Sequence, residues 1–145
     1  MTLDEILDSW KTDCQLDEHS LDRESLKISE LQNKYLKALL QERSMLKIMK
    51  LELNRFRGEL KSYLKGEFNN PEDLKRLGRP PCALRVLDKN MDSYIDQDPE
   101  YIKLSAKIIA QEEKTAALEE ILASLKARGF QIKEAVEFLK LKSGF

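Results

Sequence analysis

An all-α protein built around very long helices is what the sequence predicts, and three observations carry that expectation. Charged residues make up 35% of the 145 and aromatic residues only 7%, a balance that suits helices with one solvated face. Five glycines and four prolines leave long stretches with nothing to interrupt a helix. Leu39, Leu46, Leu53 and Leu60 recur every seven residues, the spacing of a helical packing seam.

Each element has its own signal. Thr2 followed by Glu5 is a capping-box pattern that predicts a short helix from about Leu3 to Lys11, with Leu3, Ile6, Leu7 and Trp10 on one face. Cap candidates at Asp17–Ser20 open a second, very long amphipathic helix. It meets no proline or glycine before Gly58 and ends near Gly66, a length of roughly 60 Å or more at 1.5 Å per residue. Tyr35, Met49, Phe56 and Tyr63 fill the alternate seam positions, and Glu42 interrupts that series. Such a seam fits either a second copy or another helix of the same chain.

Asn70-Pro71 can start one helical turn that Gly78 closes. Arg79-Pro80-Pro81 then imposes an extended course, and residues 86–97 read as irregular, with room for a short strand or turn. Asp98-Pro99 reads as N-cap and first residue of a second long helix, with Leu104, Ile108, Leu118, Leu122 and Leu125 along its buried stripe and Gly129 as its end. A short C-terminal helix, about Gln131 to Leu141, carries Ile132, Val136, Phe138 and Leu139. The chain thus divides into N-terminal helices with a basic stripe (1–66), an irregular basic connector (67–98) and a C-terminal helical region (99–145). A thin helical protein of this size buries little surface alone, so self-association into a homo-oligomer is expected.

The net charge of −1 hides a strong asymmetry: residues 1–33 carry net −6, residues 34–89 net +7 and residues 90–145 net −2. On the second helix Arg43, Lys47, Lys50, Arg57 and Lys61 follow steps of four, three, seven and four, which places them in one stripe beside the leucine seam. Asn54 fills the gap in that series, Lys65 lies one turn beyond, and the segment after it adds Lys75, Arg76, Arg79 and Arg85. Like charges at i and i+4 repel by a few tenths of a kcal/mol per pair, a cost that an anionic partner offsets. Phosphates are the obvious anion, since neutralising them releases counterions. A solvated helical face laced with charge pairs is the other reading of the same residues. Phe56 and Tyr63 have the chemistry to stack on unpaired bases, but their seam positions favour packing.

Several functions are excluded. Cys14 and Cys82 have no metal-ligand spacing and His19 stands alone, so no metal or other cofactor is expected, and the thiols read as reduced. No glycine-rich phosphate loop is present, Glu112–Glu113 read as a solvated pair, and no catalytic residue is assigned. The acidic stretch LDEHSLDRES precedes the heptads where a leucine-zipper transcription factor needs a basic region. No window approaches the roughly 20 apolar residues that cross a bilayer, so a cytoplasmic protein with no membrane partner is expected.

The C-terminal stretch KARGFQIKEAVEFLKL resembles the end of the UvsY family of bacteriophage recombination mediators, through Lys126, Arg128, Gly129, Phe130, Ile132 and Lys133. KYLKALL (Lys34 to Leu40) and MLKI (Met45 to Ile48) are similar to that family's long helix, and FRGELKSYLKG (Phe56 to Gly66) falls where the family has its basic DNA-binding segment. Total length and element order agree across nearly the whole chain, while about Glu67 to Asp98 matches poorly. The resemblance implies an all-helical homo-oligomer, a hexamer or heptamer, assembled through its C-terminal part. It implies a protein without catalytic activity that binds single-stranded DNA and helps a RecA-like recombinase displace single-strand binding protein, in the host-cell cytoplasm.

Carried onto this sequence, the family's Lys-x-Arg pair has Arg57 at its first position and Glu59 at its second, with Arg55 and Lys61 flanking. The candidate DNA-binding residues are therefore Arg43, Lys47, Lys50, Arg55, Arg57, Lys61, Lys65, Arg76 and Arg79. The candidate assembly residues are Leu125, Phe130, Ile132, Val136, Phe138 and Leu139, with intramolecular packing as their alternative. A coiled-coil adaptor or structural protein without nucleic-acid binding is the rival function.

Overall fold

A computed structural model describes residues 1–68, 70–82 and 86–144. Among these the regular elements are helices α1 (Leu3–Asp13), α2 (Leu21–Leu64), α3 (Pro71–Leu77), α4 (Asp88–Asp96) and α5 (Pro99–Lys142). No helix among the described residues is long and apolar enough to cross a membrane. Packing groups the chain into two compact units, Met1–Met45 with Gln111–Phe145, and Leu46–Ala110. α2 and α5 each contribute residues to both units.

The first unit is organised by apolar residues of three helices. Ile6 of α1, Tyr35 and Leu39 of α2, and Leu118, Ile121 and Leu125 of α5 form one buried cluster, edged by Trp10, Leu31, Ala38 and Leu122. The capping box starts α1 as expected: the Thr2 hydroxyl accepts from the Glu5 N–H at 3.2 Å and the Glu5 carboxylate from the Thr2 N–H at 2.9 Å. The Tyr35 ring meets Trp10 edge-on at 5.7 Å, while its hydroxyl donates to the Asp13 carboxylate at 2.7 Å. Burial, reinforced by that carboxylate, pushes the Tyr35 hydroxyl up to about 12, so it remains a donor throughout the neutral range. Glu42, the interruption in the seam, accepts from the Gln111 amide at 2.7 Å and pairs with Lys114 at 3.4 Å. The polar position in one helix is thus matched by polar positions in the other.

Gly129 does not end a helix. α5 runs on to Lys142, so the separate C-terminal helix expected after residue 129 is the last part of one continuous element. Glycine inside a helix costs about 1 kcal/mol relative to alanine, and packing on both sides of it offsets that. Arg128 donates to the main-chain carbonyls of Asp13 and Cys14 and lies over the Trp10 ring, and Ile132 is buried. A side-chain carbon added at Gly129 would lie an ordinary 4.0 Å from Ile28. Gly129→Ala is therefore expected to raise the unfolding free energy by about 1 kcal/mol in urea denaturation. A helix that broke at this position would instead be destabilised by alanine.

The second unit is built around Leu60 and Tyr63 of α2, Leu74 of α3, and Met91 and Ile95 of α4, edged by Phe56, Leu64, Phe68, Leu77, Cys82, Val86 and Tyr101. Asn70 caps α3 by accepting from the Glu72 N–H at 3.0 Å, and Gly78 closes it at φ 68°. The connector is fastened to α2 by the Tyr63 hydroxyl, which donates to the Pro80 carbonyl at 2.6 Å. Tyr63 is buried and Phe56 half-buried, which assigns both rings to packing rather than to base stacking. Residues 86–97, read as irregular from sequence, contain α4, whose Met91 and Ile95 are one turn apart and bury together. The expectation for Arg85 falls outside the described residues.

Candidate nucleic-acid interface

The exposed side of α2 was expected to carry a continuous row of cations, and the structure sorts them by what they already touch. In the first unit, Arg43 donates to the Glu119 carboxylate at 2.8 Å, with both side chains about half exposed. In the second unit, Lys47 and Lys61 stand exposed on α2 with no hydrogen-bond or ion-pair partner among the described residues. They are two heptads apart on one face, roughly 21 Å along the helix. Lys50, also exposed, lies between them on the same stripe.

Arg57, the first position of the expected recognition pair, is the most heavily engaged of the α2 cations. Its guanidinium donates to the Tyr101 hydroxyl at 3.1 Å and to Asp92 at 2.8 Å, lies 3.7 Å from Asp96, and sits 5.6 Å from the Tyr101 ring centre. The Tyr101 hydrogen bond first, and then the two aspartates, raise its affinity for the proton above the ordinary arginine value. Arg55 pairs at 3.0 Å with Glu59, one turn on, so this carboxylate takes up the cation beside Arg57. Lys65 lies 3.9 Å from Asp88, and Arg76 lies 3.9 Å from Asp73 on its own helix.

Arg79, also expected as a DNA contact, is already engaged within the chain. It makes a two-pronged pair with Asp98 at 2.7 and 2.8 Å, with 19% of the Arg79 side chain and 9% of Asp98 exposed. The guanidinium also lies 5.9 Å from the Phe56 ring centre and 5.6 Å from that of Tyr63. Its planar fork is used to hold the connector against the start of α5, and withdrawing it would leave Asp98 buried and unpaired. The assembly residues divide in the same manner. Leu125 and Ile132 are buried within the chain, so intramolecular packing claims them, whereas Phe130, Val136, Phe138 and Leu139 remain exposed.

Sequence reasoning missed the partners of these cations: Asp88, Asp92 and Asp96 of α4, Asp98 and Tyr101. The signal available was the i, i+4 spacing of Met91 with Ile95 and of the three aspartates, which places an apolar row beside an acidic row on one short helix.

The family described as "Recombination, repair and ssDNA binding protein UvsY" matches residues 9–145. The chain belongs to the UvsY family. Crystal structures titled as the bacteriophage T4 recombination mediator protein UvsY share this fold. One, in lattice type II, has a TM-score of 0.85 at 17% identity, covering 99% of this chain and 98% of that one. Another, in lattice type IV, has a TM-score of 0.85 at 16% identity, covering 97% and 99%. A third, in lattice type I, has a TM-score of 0.83 at 15% identity, covering 95% and 98%. No curated protein matches the sequence. In this chain Arg43, Arg55 and Arg57 of α2 are each tied to a carboxylate of the same chain.

Proposed function

We propose that this chain is a recombination mediator that holds single-stranded DNA nonspecifically on the exposed basic face of α2 and promotes loading of a RecA-like recombinase in place of single-strand binding protein. The observation that carries the reading is membership of a family described by recombination, repair and single-stranded DNA binding, over residues 9–145. The unpartnered Lys47 and Lys61 support it, since phosphate contact there requires no internal pair to break. Self-association through the exposed C-terminal residues Phe130, Val136, Phe138 and Leu139 multiplies weak contacts along one strand. The protein acts by binding and presenting the strand, without catalysis of its own.

Replacing both lysines, K47Q/K61Q, is expected to weaken binding to oligonucleotides of every sequence alike and to lower the slope of log K against log salt by about 0.7 per lysine. Fluorescence anisotropy across a salt series reads both quantities. The mediator step itself is tested with strands precoated by single-strand binding protein. The protein should shorten the lag before recombinase activity on the strand begins, and an unchanged lag would leave the coiled-coil adaptor as the better reading.

A further inference from the structure

Arg57, Lys61 and Lys65 stand four residues apart on and just beyond α2, and Asp88, Asp92 and Asp96 stand four residues apart on α4. Each row spans roughly 12 Å. The rows meet in antiparallel register, with Arg57 beside Asp92 and Asp96 at 2.8 and 3.7 Å and Lys65 beside Asp88 at 3.9 Å. Lys61, between them, has no partner among the described residues. Met91 and Ile95, both buried, anchor α4 against Leu60, Tyr63 and Leu74, so the carboxylates stay beside α2 whether or not their ion pairs are made.

We propose that the Asp88–Asp92–Asp96 row is a built-in competitor for nucleic acid, occupying the cations of α2 as a short run of phosphodiester would, so that single-stranded DNA must displace it to bind fully. The proposal rests on the single-stranded DNA reading above and names how that site is regulated. Two features favour a competitor over a brace. First, Asp88, Asp92 and Asp96 are 88%, 84% and 65% exposed, and ion pairs open to water are weak and easily screened. A polyanion can replace them, as it could not replace the buried Arg79–Asp98 pair. Second, like charges at i, i+4 repel, and aspartate is a poor helix former, so the row stabilises α4 little in its own right. A brace needs neither the repetition nor the match in length to the cation row.

The test compares three proteins by anisotropy with a labelled single-stranded oligonucleotide: the wild type, D88N/D92N/D96N, and a charge-matched control, D4N/D8N/E120Q. Removing the competitor raises the fraction of binding-competent cations, and the α4 variant is expected to bind about tenfold tighter than wild type. The control removes the same net charge from carboxylates outside the second unit and is expected to gain about two- to threefold at most. Adding R57Q/K65Q to the α4 variant should abolish the gain. D92N alone removes the shortest contact and should give part of it, which keeps the test open if the triple variant loses α4 by circular dichroism. An α4 variant no tighter than the control, with measurable wild-type binding, would overturn the competitor while leaving the DNA reading intact. No binding by any of the three at low salt would overturn both.

Discussion

Replacing Asp98 with alanine is expected to lower the unfolding free energy by about 3 kcal/mol, the penalty for stranding one partner of a buried ion pair. Arg79 would keep its position over Phe56 and Tyr63 but lose both carboxylate contacts. The same substitution removes the acceptor for the Tyr101 N–H at 3.0 Å, and loss of an N-cap costs about 1 kcal/mol in addition. D98N retains a capping oxygen without the charge, so its cost should fall between wild type and D98A. Urea denaturation of the three proteins reads the series, and equal stability for all three would show that the pair contributes nothing.

The pair also fixes a pH dependence. Burial alone would raise the Asp98 carboxyl, but the Arg79 hydrogen bonds and the N–H groups of Tyr101 and Glu100 outweigh it and hold the carboxyl below its ordinary value. The folded chain therefore binds fewer protons there than the unfolded chain does. Its contribution is complete above the ordinary carboxylate range and is lost as the pH falls through and below that range. Wild-type stability should thus fall more steeply on acidification than that of D98N, as read by denaturant midpoints at successive pH values.

Leu125→Ala and Phe138→Ala are expected to separate folding from assembly. Leu125 is wholly buried among Leu118, Ile121, Tyr35 and Leu39, so truncating it should cost about 3 kcal/mol at every protein concentration. Phe138 is 65% exposed on the same helix, and its loss should change the stability of the fold by less than about 0.5 kcal/mol. Light scattering should instead report smaller assemblies for F138A. The opposite pattern, a stable L125A of reduced mass beside an F138A of unchanged mass, would place the subunit contact on the wrong face.

How much of this was legible in the sequence depended on how local the cause was. Caps were readable, because Thr2 with Glu5, Asn70 with Pro71, and Asp98 with Pro99 act within one helical turn. The seam was readable as a packing face, and burial of Tyr35, Leu39, Leu60 and Tyr63 follows it. Its partner was not, since an intramolecular helix and a second copy select the same heptads. Gly129 was misread because a local stop signal was overridden by contacts more than a hundred residues away in sequence, those of Arg128 with Asp13 and Cys14. α4 was missed because Asp, Asn and Ser dominate its sequence, and it is helical where Met91 and Ile95 bury on α2. The stripe of cations on α2 was read from residue spacing alone. The pairing of Arg43 and Arg57 within it, and of Arg79 beyond it, was invisible, because the carboxylates that meet these arginines come from elsewhere in the chain.

The most direct measurement is the anisotropy of a labelled single-stranded oligonucleotide titrated with the folded protein at low and at high salt. Binding that is tight at low salt and falls steeply as salt rises is the predicted result, since phosphate contacts at the proposed α2 site would release counterions. Absence of binding at low salt, from protein that is folded and oligomeric, would contradict the account and leave a helical adaptor with the UvsY fold.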